Sequence, residues 1–168
     1  MKNELVRKFI RLARREEPML WGDGLVLCPR EYYGYSRQIH CEHSLIFDIV
    51  QRSDARIAGE IALRIGDSAE QFYLGHIGYH IDPPFRGHAY AAKACRACEP
   101  LLVAFEQHTI VITTDPDNTP SVKTCERLHC ELECTVKVPP QVMNKLEISP
   151  EKRRYIWTLD PMSVEKLN

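Results

Sequence analysis

Residues 74–91 read Leu74-Gly75-His76-Ile77-Gly78-Tyr79-His80-Ile81-Asp82-Pro83-Pro84-Phe85-Arg86-Gly87-His88-Ala89-Tyr90-Ala91. A strand-like run stops at a double proline, which lacks the amides needed to continue a ladder. A tight Arg86-Gly87-His88 turn follows, then a helix that opens on small residues. The first amides of a helix have no partner within it, and the helix dipole favours negative charge there. Gly87 lets the backbone turn, Ala89 and Ala91 keep the approach open, and Arg86 adds charge-assisted donors. The stretch predicts an anion site of the kind that suits phosphate.

The strand entering this turn is expected over Phe72 to Ile81, with Gly75 and Gly78 marking a bulge or a close backbone approach. The helix leaving it is expected from about His88 to Phe105, with Ala91, Ala94, Cys95, Cys98, Leu101 and Leu102 on one face. Pro100 should kink that helix or split off its last turn. Upstream, Leu45 to Val50 and Ile57 to Arg64 alternate around the turn-like Arg52–Arg56 and predict an antiparallel hairpin. Leu25 to Cys28 reads as a short strand stopped by Pro29, and 30–43 as a loop or irregular helix. Residues 3–15 carry Leu5, Phe9, Ile10, Leu12 and Ala13 on one helical stripe. Downstream, Thr109 to Thr114 is a short buried strand. Asn118 and Pro120 open another helix, carrying Val122, Cys125 and Leu128. Leu132 to Val138 and Tyr155 to Leu159 are the last strands, and the charged segment 139–154 between them is expected to be a mobile loop. The order is mixed α/β (α+β): one sheet, mostly antiparallel, with one parallel crossover, flanked by helices.

The chain has 168 residues with 44% hydrophobic and 27% charged, which suits one globular domain spanning 1–168. A formal charge of −1 argues against a nucleic-acid partner, since phosphate binding needs a basic excess. Apolar runs such as Leu45–Phe47 and Leu101–Phe105 fall far short of the ~20 residues of a membrane span. The N-terminal stretch has no apolar h-region and is too acidic for a transit peptide. Seven cysteines without an export signal read as reduced thiols, which points to the cytoplasm. Cys95-x-x-Cys98 has half the spacing of a zinc site, but no second pair accompanies it, so no metal is expected.

The turn resembles the pyrophosphate loop of the GNAT superfamily of acyl-CoA N-acyltransferases, Gln/Arg-x-x-Gly-x-Gly/Ala. Here Arg86 and Ala91 fill the outer positions, and Ala89 stands in the place of the central glycine. An alanine in the helical region is expected to cost little backbone strain. A second, independent match is the frame Asn118, Ser121, Cys125 and Glu126 on the next helix, with His129-Cys130 where the family commonly has Gly-Phe. The resemblance covers roughly 44–138 and is nearest the branch that includes ribosomal-protein N-terminal acetyltransferases. It implies the GNAT fold, with a splayed parallel strand pair, and acetyl-CoA as co-substrate. It also implies direct acetyl transfer to a primary amine in a ternary complex. The acceptor would be a small molecule or a protein N-terminus, and dimers are common in the family.

The resemblance places the cofactor-binding groups at Tyr79, His80 and Ile81 (backbone, along the pantetheine arm), Arg86, Gly87, His88, Ala89, Tyr90 and Ala91 (diphosphate), and Asn118 and Ser121. Asn118 equally suits a plain helix cap. Transfer needs an unprotonated amine, so a base is sought. His76 stands where that branch often has Glu before Ile-Gly-Tyr, and its ring titrates in the useful range. Glu60, on the neighbouring strand between Ala58 and Ala62, is the second candidate if burial raises its pKa. Its plainer reading is an ion pair with Arg64. Cys125 replaces the tyrosine that many members use as the acid, and burial as an apolar filler is its plainer reading. Trp21, Tyr32, Tyr33 and Tyr35 lie where the family builds its acceptor pocket. The same features would also serve a non-catalytic acetyl-CoA-binding sensor.

Overall fold

In the computed structural model, which describes residues 1–167, the first element is α1 (Lys2–Arg15). Glu4 in its first turn and Arg14 and Arg15 in its last complement the helix dipole. Its apolar stripe drives Phe9 into the core, edge-on to Phe47 with ring centroids 5.0 Å apart. Burying such a ring contributes roughly 1.5–3 kcal/mol.

Strands β1 (Leu20–Trp21), β2 (Leu25–Tyr33), β3 (His43–Gln51) and β4 (Ile57–Ile65) form an antiparallel meander. β2 runs through Pro29 rather than stopping at it. The register shifts between Pro29 and Glu31, and β1 covers only Val26 and Leu27. At a bulge on an otherwise free edge, a missing amide costs little. Leu25, Leu27, Leu45, Phe47, Ile49, Ile61, Leu63 and Ile65 alternate inward as the period of two requires.

The segment expected to begin a long strand is instead a helix, α2 (Ala69–Leu74), and only β5 (Ile77–Ile81) is extended. Ser68 accepts the Gln71 amide through its side chain, and Gly75 ends the helix at φ +76°. A Cβ at Gly75 would lie 2.9 Å from the Val111 carbonyl, so this glycine answers a close approach. After a 3-10 turn at Pro83–Phe85, α3 (Tyr90–Ala104) begins two residues later than expected and passes through Pro100 unbroken. Its alanines and cysteines let it sit close to the sheet, with Ala94, Cys95, Cys98, Leu101 and Leu102 fully buried.

The chain continues with β6 (Thr109–Thr114), α4 (Thr119–Arg127), β7 (Glu131–Lys137), α5 (Pro140–Leu146) and β8 (Glu151–Thr158). A 3-10 turn at Pro161–Leu167 packs back on α3. The expected loop 139–154 thus contains a helix and the first half of a strand. Lys152, Arg153 and Arg154 read as loop because they are charged. Arg154 is nevertheless buried, bonding Glu133 at 2.7 Å and lying 3.6 Å over the Phe72 ring.

Hydrogen bonding divides the expected sheet into β1-β2-β3-β4-β5 and β6-β8-β7. The division falls at the predicted splay, where β5 and β6 share no ladder. No helix among the described residues is long and apolar enough to cross a membrane.

Candidate active site

The splay is pinned at one end by His76. Its amide donates to the Val111 carbonyl at 2.8 Å, and Nδ1 accepts the Val111 amide at 3.1 Å. Nε2 donates to the Gly66 carbonyl at 3.1 Å. Those partners fix the neutral tautomer, and burial lowers the ring's pKa. With both ring nitrogens committed, His76 is a clamp between strands and not the general base expected from its position.

Beyond this clamp the strands part. The bonds Arg64 N–H to His76 O and Asp82 N–H to Ala58 O set the parity of the β4–β5 ladder. In an antiparallel pair, alternate residues turn both backbone groups toward the partner. Gly78 and His80 therefore face β4, whereas Tyr79 and Ile81 face the opening. His80 is withdrawn from the expected backbone contacts, and its exposed ring stands 3.4 Å from Asp82. The Ile81 carbonyl is already taken by Arg86 Nε at 2.9 Å, so Arg86 braces the strand end while its terminal nitrogens have no partner among the described residues.

The turn after Phe85 leaves its amides open. None of the six amides from Gly87 to Ala92 has a hydrogen-bond partner among the described residues. Gly87 has φ +87°, with nothing near its Cβ position. Ala89 departs from expectation. It caps α3 at φ +58°, ψ +27°, in the left-handed region and not the helical one. That conformation costs an alanine roughly 1–2 kcal/mol, which is the physical reason a glycine suits the position. His88 is exposed, its ring against Tyr90 with centroids 5.8 Å apart, so only its amide faces the turn.

These groups line a cavity of about 560 Å³ between β5, the start of α3 and α4, with Tyr79, Ile81, Arg86, Asn118 and Ser121 among its walls. Lys123 and Arg127 add positive charge to it. Asn118 caps α4, its Oδ1 accepting the Ser121 amide at 3.2 Å, and still borders the cavity. A second cavity, of about 230 Å³, continues inside the splay and is lined by Arg64, Ile77, Gly78, Ile112, Thr113 and Asp115. Tyr79, Asn118 and Ser121 border both cavities. At that junction the Tyr79 phenol and the Ser121 hydroxyl are 2.7 Å apart, and burial pushes the phenol's pKa up.

Two other expected groups are elsewhere. Cys125 borders neither cavity; the neighbouring Cys130 and burial hold its thiol protonated in the core. Glu60 is on the outer face of β4, its side chain 46% exposed, paired with Arg30 at 2.7 Å and not with Arg64. The aromatic set also lies away from the cavities: Tyr32 bonds His43, Tyr33 bonds Glu31, and Trp21 and Tyr35 are exposed. Sequence reasoning missed Arg64 at the inner cavity and the Tyr79–Ser121 bond. Both depend on strand register, which periodicity alone does not set. Cys95 and Cys98 are buried thiols in α3. Among the described residues no group of three or more His, Cys, Asp or Glu stands together to hold a metal ion.

Residues 5–131 match the acetyltransferase (GNAT) domain family. A comparison with curated proteins finds no match. Among solved structures, the chain is similar to a GNAT-family acetyltransferase from Bacillus anthracis at 21% identity and a TM-score of 0.53, covering 67% of this chain and 65% of that one. It is similar to a ribosomal-protein alanine acetyltransferase from Vibrio fischeri at 19% identity and TM-score 0.54, covering 70% and 62%. It is also similar to RimJ of Mycobacterium smegmatis, solved with CoA-disulfide, at 19% identity and TM-score 0.54, covering 74% and 58%. The chain spans less than two thirds of the length of these three proteins. The match covers well over half of the sequence and agrees with the splayed strands and the open amide turn, so the chain belongs to the GNAT acetyltransferase family.

Proposed function

We propose that this chain is an acetyl-CoA-dependent N-acetyltransferase that moves the acetyl group to a primary amine by direct transfer in a ternary complex. The observation that carries the reading is the run of open amides from Gly87 to Ala92, followed along the unpaired edge of β5 by the Tyr79–Ser121 pair. The open amides and the dipole of α3 suit a diphosphate. The inward backbone groups of Tyr79, and the Ile81 amide, suit the amides of a pantetheine arm laid beside β5 like an added strand. This places the thioester at the inner cavity, next to Ser121.

The protein supplies positioning more than proton transfer. His76 and Glu60 are committed elsewhere. Asp115 is a weak base: burial works to raise its pKa, but hydrogen bonds from Lys152 and Ser149 outweigh that and lower it. The acceptor therefore reaches the cavity as the free amine. Its nitrogen attacks the carbonyl carbon, the carbon–sulfur bond breaks, and the proton lost by nitrogen ends on sulfur, so no protein base is consumed. Ser121, held by Tyr79, donates a hydrogen bond to the departing sulfur. Protein N-termini and small amines both meet this requirement.

Calorimetric titration of acetyl-CoA, with thiol release measured across an amine panel, tests the reading. Heat together with amine-dependent thiol release is the expected result. Heat without release on any amine would favour the sensor, a reading supported by the withdrawal of His76, Glu60 and Cys125 from the cavities.

A further inference from the structure

We infer that the inner cavity selects an acceptor amine that carries its own carboxylate, as an amino acid does, and that Arg64 is the group that reads it. The inference rests on the proposed acetyl transfer and names the substrate class of the same site. Arg64 projects from β4 across Gly78 of β5. A Cβ built on Gly78 would lie 2.9 Å from Arg64 Nη2, so the guanidinium occupies space that a side chain at position 78 would enter. The guanidinium thereby borders the inner cavity.

Its charge is unanswered. A guanidinium has five N–H donors and stays protonated, yet the only side-chain hydrogen bond Arg64 makes among the described residues is a long one, 3.4 Å from Nη1 to the Gly75 carbonyl. Among the described residues no carboxylate pairs with it. The other charged groups of the cavity, Asp115 and Lys152, neutralise one another at 2.6 Å. The cavity thus holds one net positive charge in a half-buried place, which is costly unless a partner arrives. Leu74, Ile77 and Ile112 supply apolar wall. About 230 Å³ holds a small acceptor or the end residue of a longer one. A guanidinium is shaped to take a carboxylate on two parallel hydrogen bonds. A simple alkylammonium brings only repulsion to the same place.

The test uses the protein saturated with CoA, so that binding is read apart from turnover. Glycine, alanine, serine, aspartate and glutamate are each compared with their carboxamides by ligand-observed saturation-transfer NMR. At least one acid should bind tenfold or more tighter than its amide, and Arg64→Gln should erase that preference. CoA heat and thermal midpoint report whether the variant folds, and if it does not, the acid–amide comparison on the native protein decides. Equal binding of acids and amides, no binding of any acid, or a preference that survives Arg64→Gln would overturn the inference. Preferred binding without thiol release would remove the transfer reading and leave this one standing. Thiol release with acids and amides alike would do the reverse.

Discussion

The Tyr79 phenol meets the Ser121 hydroxyl at 2.7 Å across the gap between β5 and α4. One residue lies on the last strand of the first sheet and the other on the helix that follows β6, the first strand of the second sheet. The bond therefore ties the two halves of the fold at the point where their backbone ladder is absent. In the proposed chemistry it also orients the donor to the leaving sulfur.

Removing that bond should slow transfer without loosening the coenzyme. Tyr79→Phe is expected to lower kcat about tenfold, the worth of one hydrogen bond of ~1.4 kcal/mol, with little change in acetyl-CoA affinity. Steady-state thiol release paired with calorimetry checks this. An unchanged kcat would take the pair out of the mechanism.

Ala89→Gly should stabilise the protein. The left-handed φ of +58° is strained for alanine and free for glycine. Glycine also gains entropy in the unfolded chain, so the net effect is expected to be about 0.5–1 kcal/mol. Urea unfolding should show a higher midpoint at an unchanged slope. A lower midpoint would mean that the turn relaxes in solution.

His76 should appear in stability and not in the rate. Its folded pKa lies below the ordinary 6.5 because burial disfavours the charged ring. The unfolded chain therefore binds the proton first, and stability is lost as pH falls through about 6.5 and below. Thermal midpoints from pH 8 to 5 should fall over that window, and His76→Gln should lack this component. The rate should instead rise with pH toward the pKa of the acceptor amine. A rate inflection that vanishes in His76→Gln would restore the ring as a base.

Glu60→Gln should leave transfer intact. The carboxylate is on an open face in a pair with Arg30, and surface pairs contribute about 0–1 kcal/mol. Thiol release within twofold of the native protein is expected. A loss of a hundredfold would show that Glu60 reaches the reacting amine.

The open amides of the turn from Arg86 to Ala91 and the helix cap at Asn118 are local features, so both were legible residue by residue. Open amides after a double proline follow from chain geometry alone, and Asn118 caps the helix that its own sequence starts. The splayed strand pair was likewise expected, through the family resemblance that those two motifs carry. The segments misjudged were those in which tertiary contacts outweighed local pattern. Ser68 capping Gln71 turned an apparent strand into α2, and burial between β6 and β7 drew the charged stretch before Tyr155 into β8. Roles within the site were decided only by the assembled fold. A one-residue change in strand parity separates Tyr79, which faces the gap, from His80, which does not. The ring of His76 is occupied because Gly66 and Val111, distant in sequence, close on both its nitrogens. Arg64 reaches the cavity because register sets it over a residue without a side chain. Residue type and spacing set what each group is capable of; the neighbours brought by long-range packing set which of those capacities is left free.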